Sequence, residues 1–235
     1  MARALTTIGF DADDTLWHNE RYFALSHDRF AALLADHSER DQLMARLLEA
    51  ERRNLPHYGY GIKGFTLSMI ETAIEVTDGD VPAAVIADLL AAGRDMLAHP
   101  IEILPHVEDV LEELRGQFRL VVITKGDLLD QERKLAQSGL RARFDAVEIV
   151  SHKTEAAYRE IFARHGAGAE RGLMVGNSMA SDVRPMIDAG GWGVYVPHDL
   201  TWAMEHAAPP AESARFAEIS DLSELPALLR EIDLG

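Results

Sequence analysis

The alternation of two sequence patterns over residues 100–235 constrains the fold of this chain more than any other feature. Short apolar runs typical of strands are separated by amphipathic stretches typical of helices. The apolar runs are "RLVVIT" (119–124), "FDAVEIV" (144–150), "LMVGN" (173–177), "GVYV" (193–196) and "RFAEIS" (215–220). Strands that alternate with helices pair in parallel through right-handed crossovers, and apolar strands indicate a sheet covered on both faces. The sequence therefore predicts an α/β domain with a parallel sheet.

The first strand of this sheet is predicted near the N-terminus, and a different pattern follows it. The run "LTTIGF" (5–10) is short, mostly apolar and contains β-branched residues. Residues 18–99 instead place apolar side chains at helical spacing in four segments, with no convincing strand between them. We therefore predict an α/β core formed by residues 1–17 and 100–235, with a helical domain inserted at residues 18–99.

The charge and composition of the chain limit its partners. It has 39 acidic and 23 basic residues and a net charge of −16, which disfavours nucleic acid and anionic membrane surfaces. No cysteine is present, so neither disulfides nor thiolate metal sites can form. No apolar run reaches the roughly 20 residues of a membrane helix, and the N-terminus meets acidic residues too early for a signal peptide. We expect a cytoplasmic monomer or homodimer that acts on a small molecule.

Three aspartates, Asp11, Asp13 and Asp14, directly follow the first predicted strand. Clustered carboxylates repel one another, and a divalent cation is the obvious way to offset that cost. Residues i and i+2 of an extended chain project to the same side, so Asp11 and Asp13 can face one cavity. The cluster therefore predicts a metal-dependent site at the end of this strand, with Asp14 as a loop residue.

Polar side chains also follow three of the later strands. Thr124 and Lys125 end "RLVVITK", Lys153 comes just beyond "EIV", and Asn177 and Asp182 follow "LMVG". Ligands of open α/β sheets bind outside the carboxyl ends of the strands. We therefore expect these segments to bring a hydroxyl, two cations and hard oxygen ligands to one edge of the sheet. Such oxygens suit Mg²⁺.

Four motifs, in this order, resemble those of the haloacid dehalogenase superfamily of phosphohydrolases. They are "FDADDTLW" (10–17), "VVITKGD" (121–127), "SHKTEAAYREIF" (151–162) and "MVGNSMASDVRPMIDAGGWGVYVP" (174–197). The helical insert between the first two motifs is similar to the helical cap domain of that family. The resemblance implies a Rossmann-like three-layer α/β core with a small all-α cap. It also implies a Mg²⁺-dependent hydrolase of a small soluble phosphomonoester.

The resemblance implies roles for the acidic residues. Asp11 would attack phosphorus and form an aspartyl-phosphate. Asp13 would protonate the leaving alkoxide and then deprotonate the water that hydrolyses the intermediate. The ligands of Mg²⁺ would come from Asp11, the backbone carbonyl of Asp13, Asn177 and Asp182. The fourth motif usually begins Gly-Asp, whereas here it is Gly176-Asn177. Either Asn177 is a neutral direct ligand with Asp182 behind it, or Asp182 takes the inner position.

Substrate contacts are expected from the second and third motifs and from the insert. The resemblance implies that Thr124 of the second motif and Lys153 of the third hold the phosphoryl oxygens. The full set of candidate substrate-binding residues is Thr124, Lys125, Gly126, Lys153, Lys63 and His18. Lys125 stands where many family members have Asn. Lys63 lies in "PHYGYGIKGF" (56–65), which is interpreted as a specificity loop or as a plain helix–helix turn. His18 begins the linker into the insert, as a substrate contact or as part of a hinge.

Other functions stay open at this level. The dehalogenase branch of the family lacks an acid at the position of Asp13, because a halide needs no proton on leaving, so its presence favours phosphate chemistry. A phosphomutase or phosphonatase uses the same scaffold. A non-catalytic phosphoacceptor that resembles response-regulator receivers, or a binding protein that has lost activity, is a further alternative.

Overall fold

The structure of the protein is a computed structural model, and it describes residues 4–211 and 213–234. The chain divides into two compact units. Unit 1 comprises Met1–Glu20, Ile101–Lys125 and Gln131–Gly235, and unit 2 comprises Arg21–Pro100 and Gly126–Asp130. The assignment of residues 18–99 as a cap domain stays a prediction.

Unit 1 is built on one six-stranded sheet in which all neighbouring strands are parallel. Its strands are β1 (Thr7–Phe10), β2 (Arg119–Lys125), β3 (Ala146–Val150), β4 (Gly172–Gly176), β5 (Trp192–Tyr195) and β6 (Phe216–Glu218). Their order across the sheet is β3-β2-β1-β4-β5-β6. The predicted α/β fold with a parallel sheet is confirmed.

The described residues contain nine α-helices. They are α1 (Glu20–Leu33), α2 (Arg40–Tyr58), α3 (Ile62–Val76), α4 (Ala83–Ala98), α5 (Val107–Leu114), α6 (Leu128–Ser138), α7 (Glu155–His165), α8 (Arg184–Asp188) and α9 (Leu225–Leu234). Across the described part of the chain, none of these helices combines the length and hydropathy that a membrane span requires.

Alternate residues of the central strands enter two separate cores, one on each face of the sheet. Leu120 and Val122 of β2 pack with α5 and α9, whereas Val121 and Ile123 pack with α7 and α8. This period of two is the side-chain alternation of a strand. Because both faces bury apolar side chains against helices, the strands are apolar throughout, and unit 1 has three layers.

The register of the sheet fixes where its carboxyl edge lies. Phe10 at the end of β1 is level with Val122 of β2 and Val175 of β4. The Asp11 N–H then donates to the Val175 carbonyl at 2.9 Å. The residues that follow β1, β2 and β4 therefore emerge at the same edge of the sheet.

Unit 2 contains the four helices that the sequence predicts for the insert. Their apolar faces share one core, which includes Phe30, Leu47, Phe65, Met69 and Leu89. This spacing of buried residues explains why the segments fold as helices, since each has one apolar stripe to cover.

The non-helical part of residues 56–65 is short. Helix α2 runs to Tyr58 with Pro56 inside its last turn, and α3 begins at Ile62. Only Gly59–Gly61 lie between the two helices, and Gly59 has a φ of 70°. Pro56 has no N–H to donate to the Arg52 carbonyl, and the helix ends two residues later, where a glycine with positive φ makes the turn. The segment is thus a short helix–helix turn, and its service in substrate specificity stays a prediction.

Candidate active site

The polar residues expected at the carboxyl edge of the sheet are found there. Asp11 follows β1, and Thr124 is the penultimate residue of β2. Lys153 comes after β3, and Asn177 comes after β4. Thr124 is 3% exposed. This is the position at which open α/β sheets bind their ligands.

Lys153 joins two carboxylates in the interior of unit 1. Its Nζ donates to Asp11 Oδ1, and to Asp182 Oδ1 at 2.6 Å. The side chains of Lys153 and Asp182 are each 1% exposed. Burial acts to lower the pKa of the Lys153 ammonium, but the charges of Asp11 and Asp182 outweigh it and raise that pKa. Lys153 is therefore a permanent cation between the two acids.

One cation does not fully compensate two buried carboxylates. Burial, and next the charge of Asp182, raise the pKa of Asp11 to about 7, although Lys153 opposes this rise. A second cation near Asp11 would favour the ionised carboxylate. A further positive charge on the side of Asp11 that faces away from Lys153 would therefore lower the pKa of Asp11 and stabilise its ionised form.

Oxygen atoms converge on that side of Asp11. The Asn177 side-chain amide lies 3.2 Å from Asp11 Oδ2 and 3.3 Å from the Asp13 carbonyl oxygen. With its NH₂ towards them the amide donates to both oxygens, which satisfies all three groups; with its oxygen towards them, three oxygens are available to a metal ion. Mg²⁺, with bonds of about 2.1 Å, holds neighbouring oxygens about 3 Å apart. These residues therefore fit Mg²⁺, with Asp13 contributing its backbone carbonyl.

The Thr15 hydroxyl links Asp11 to Asn177. Its hydroxyl donates to Asp11 Oδ2 at 3.2 Å and accepts the Asn177 N–H at 3.2 Å. The first motif thus holds the fourth motif directly, through a side chain that the sequence analysis gave no site role.

Asp182 is held by the turn that follows β4. Its Oδ2 accepts the Ser178 N–H at 2.9 Å, and the residue sits in a π-helical turn, Met179–Val183. A Cβ on Gly176 would lie 2.2 Å from Asp182 Oδ2, so only glycine leaves room for this carboxylate. Asp182 faces Lys153, whereas Asn177 faces Asp11 and the Asp13 carbonyl. Of the two arrangements left open by the sequence, this geometry favours Asn177 as the inner ligand.

Asp13 has partners of its own. Its carboxylate accepts from Lys134 Nζ at 3.0 and 3.1 Å, from Gln131 Nε2 at 2.8 Å and from Trp17 Nε1 at 2.7 Å. Burial acts to raise the pKa of Asp13, but Lys134, Gln131 and Trp17 outweigh it and lower that pKa. Asp13 is therefore ionised at neutral pH. No pattern in the sequence indicated that Lys134, Gln131 and Trp17 would contact Asp13.

Lys125 has a carboxylate partner that the sequence analysis also missed. Its Nζ donates to Glu205 and, at 2.6 Å, to Ser181 Oγ. The Glu205 carboxylate also accepts from the hydroxyls of Ser178 and Ser181. Burial acts to raise the pKa of Glu205, but Lys125 and the hydroxyls lower it. Lys125 is thus neither a solvent-facing charge nor free, because a loop far along the chain supplies its counter-ion.

Two predicted substrate contacts belong to unit 2. Gly126 and Lys63 are both assigned there, and Lys63 Nζ donates to both oxygens of Asp127 at 2.9 Å. Lys63 is 54% exposed. His18 belongs to unit 1, where its ring lies 5.9 Å from that of His198.

Comparison with known proteins places this geometry in context. The family model for haloacid dehalogenase-like hydrolases matches residues 5–190. A haloacid dehalogenase-like family hydrolase from Xanthomonas campestris is 40% identical with a TM-score of 0.88, over 99% of this chain and 93% of that chain. The 2-haloacid dehalogenase of Pseudomonas syringae pv. Tomato DC3000 has a TM-score of 0.62 at 21% identity, over 97% and 99% of the two chains, and shares the fold alone.

The similarity to a named phosphatase covers less of the chain. The N-acylneuraminate-9-phosphatase of Homo sapiens is 28% identical over 134 residues, which are 54% of this chain and 52% of that protein. The chain thus spans about half the length of the curated relatives it matches.

Proposed function

The chain belongs to the haloacid dehalogenase-like hydrolases, and we propose that it is a Mg²⁺-dependent phosphatase. Its substrate is a small phosphomonoester, and its intermediate is an aspartyl-phosphate on Asp11. One observation carries this proposal. Asp11 stands between a buried lysine and the Asn177 amide with the Asp13 carbonyl, a group of side chain and backbone that fits Mg²⁺, so positive charge would flank the nucleophile on both sides and attract a phosphate dianion.

Asp11 is the nucleophile of the proposed reaction. One of its carboxylate oxygens bonds to phosphorus as the bond from phosphorus to the substrate oxygen breaks. Lys153, which donates to Asp11 Oδ1, orients the carboxylate and holds a phosphoryl oxygen, together with the Thr124 hydroxyl. Mg²⁺, held by Asp11, the Asp13 carbonyl and Asn177, would neutralise charge that develops on the phosphoryl group.

Asp13 moves the protons of both steps. It gives a proton to the departing alkoxide, and it takes a proton from the water that attacks the aspartyl-phosphate. The products are an alcohol and inorganic phosphate, and Asp13 returns to its starting protonation state. Lys134 keeps Asp13 ionised before substrate binds, which suits its role as a base. A bound phosphate dianion near Asp13 would raise its pKa, so that Asp13 takes up a proton from solvent as substrate binds and starts the first step in its protonated form.

Unit 2 would act as the cap that selects the substrate. Lys63 stays a predicted substrate contact and Lys125 becomes one when its pair with Glu205 opens. The net charge of −16 supports a small metabolite as substrate rather than nucleic acid or a membrane. The activity named for the human relative suggests phosphorylated sugar acids, and N-acylneuraminate 9-phosphate in particular, as the first esters to test. The cytoplasmic location and the monomeric or dimeric state stay predictions.

Inorganic phosphate release from a panel of phosphomonoesters tests the proposal. We expect release by the wild type in Mg²⁺, none in EDTA, and a loss of at least about 10³-fold in Asp11→Asn. Asp36→Asn, at an exposed position, is the matched control and should keep full activity. Circular dichroism must show that Asp11→Asn remains folded.

Two results would overturn the phosphatase assignment. One is phosphate release that survives Asp11→Asn in a preparation free of other phosphatases. The other is metal-independent halide release from 2-haloacids with no phosphate release from any ester, which would make the chain a dehalogenase. Ligand binding without turnover in folded wild type would support the non-catalytic alternative instead.

The role of Asp13 has its own test. Asp13→Asn should lose much more activity on alkyl phosphates than on p-nitrophenyl phosphate, because nitrophenolate leaves without a proton. An equal loss on both esters would contradict the assignment of Asp13 as the acid.

A further inference from the structure

Asp14, His18 and His198 form a cluster in unit 1 that the proposed phosphatase reaction does not use. One ligand atom from each residue lies within 4.8 Å of the other two. Asp14 and His18 belong to the turn after β1, and His198 belongs to the loop after β5. Two imidazoles and one carboxylate are a ligand set that Mg²⁺ disfavours and that borderline divalent ions such as Zn²⁺ and Co²⁺ prefer.

The backbone contacts of His198 favour one tautomer of its ring. Its Nδ1 lies 2.8 Å from the Leu200 carbonyl oxygen and 3.3 Å from the Leu200 nitrogen. The shorter contact decides, because a carbonyl oxygen only accepts, so Nδ1 carries the proton. In neutral imidazole the lone pair is then on Nε2. An imidazole that donates one ring N–H to a carbonyl and presents the other nitrogen is the usual arrangement of a metal ligand.

The Nε2 atom of His198 faces the Asp14 carboxylate. Nε2 lies 3.5 Å from Asp14 Oδ1, which is longer than the roughly 2.7–2.9 Å of a charge-assisted hydrogen bond. It is close to the separation of about 3.3 Å between two ligands of a tetrahedral Zn²⁺ whose bonds are about 2.0–2.1 Å. A divalent cation between these two atoms would lie within bonding reach of both.

The other two residues are also held in place. The Asp14 carboxylate accepts the N–H groups of Asn19 and Glu20 at 2.8–3.1 Å, and the His18 N–H donates to the Glu102 carbonyl at 3.0 Å. These bonds leave Asp14 with lone pairs to share, and they anchor the turn on which both ligands stand. The three ligand atoms already lie within 4.8 Å of one another, so small side-chain movements would bring them to the separations of ligands on one ion.

We propose that Asp14, His18 and His198 bind a divalent transition-metal ion of the Zn²⁺ class, at a site distinct from the Mg²⁺ site of Asp11. Three protein ligands leave one position for water. The ion joins the turn after β1 to the loop after β5, and so fixes one end of the segment that carries Glu205. This gives His18 the role of a metal ligand instead of the predicted substrate contact.

Titration with Co²⁺ in a large excess of Mg²⁺ tests the proposal, since Mg²⁺ occupies the Asp11 site and competes poorly for imidazole. The visible absorption of Co²⁺ and calorimetry report binding. We expect one equivalent bound to wild type, and binding at least about tenfold weaker in His18→Gln and in His198→Gln. His57→Gln, at an exposed position in α2, is the matched control and should bind like wild type.

Thermal unfolding gives a second readout that does not depend on activity. Zn²⁺ should raise the Tm of wild type and of His57→Gln, because an ion that binds only the folded state stabilises it. It should not raise the Tm of His18→Gln or His198→Gln. Absence of Co²⁺ binding by wild type in excess Mg²⁺ would overturn the proposal, as would either histidine variant binding as tightly as wild type.

Discussion

Replacing Lys153 by methionine should destabilise unit 1 strongly, and the structure gives the size of the effect. The ammonium is 1% exposed and bonds to the carboxylates of Asp11 and Asp182. Each attraction is worth about 4 kcal/mol at an effective dielectric constant of about 20, and the cost of burying the ammonium offsets several kcal/mol of that sum. Removing one member of such a buried group typically costs about 3–5 kcal/mol, which is the loss we expect.

The loss should depend on pH in a definite direction. Burial holds the pKa of Asp11 at about 7 in the folded protein, against an ordinary value of 3.8. The folded state therefore keeps a proton that the unfolded chain has lost, and stability from this group falls as pH rises from about 4 to about 7. Without Lys153 the pKa of Asp11 rises further. The deficit of Lys153→Met should thus be largest above pH 7 and should shrink towards pH 5.

Tryptophan fluorescence is a suitable assay, because all three tryptophans (Trp17, Trp192 and Trp202) belong to unit 1. A loss of about 3–5 kcal/mol lowers the Tm of a chain of this size by roughly 6–20 °C. Lys63→Met is the matched control, since it removes an exposed ion pair worth less than about 1 kcal/mol. The reasoning fails if Lys153→Met loses no more stability than the control, or if its deficit is equal at pH 5 and pH 8.

Two further changes test the site and the sheet. Gly176→Ala places a methyl group 2.2 Å from Asp182 Oδ2, and the displaced carboxylate should lower turnover by about 10²-fold; steady-state phosphate release measures this, and unchanged turnover contradicts it. Glu148 has a pKa that burial raises but that its bond to His165 lowers below the ordinary 4.5. Its stabilisation is present above about pH 4.5 and is lost as pH falls through the folded pKa. Glu148→Gln should therefore cost about 1 kcal/mol at pH 7 and little below pH 4; urea unfolding measures the difference, and a pH-independent cost contradicts it.

The fold of unit 1 was predictable because its signals are local. Each strand is an apolar run ended by a polar residue, and parallel pairing follows from the alternation with helices. The positions of Asp11, Thr124, Lys153 and Asn177 then follow from one rule, that the carboxyl ends of parallel strands meet at one edge.

The partners of those residues were not predictable, because they depend on distant pairing. Helix α6 begins with two exposed leucines, Leu128 and Leu129, and buries Gln131 and Lys134 instead. A periodicity argument assigns the leucines to the interior. Both polar side chains donate to Asp13, and Gln131 lies 118 residues away from Asp13 in sequence. Glu205 is a similar case, since its loop carries no pattern that points to Lys125.

The Glu205 carboxylate competes with any anionic ligand for the Lys125 ammonium. The Glu205 carboxylate occupies the lysine until a stronger anion displaces it, so any ligand that uses Lys125 binds with an affinity reduced by the fraction of open pairs. If one pair in ten is open, the apparent Kd rises about tenfold. Singly charged metabolites meet this barrier with little to offset it, whereas a phosphate dianion gains enough to overcome it. If Lys125 contacts the substrate as proposed, Glu205 would thereby disfavour weak anions relative to a phosphate dianion.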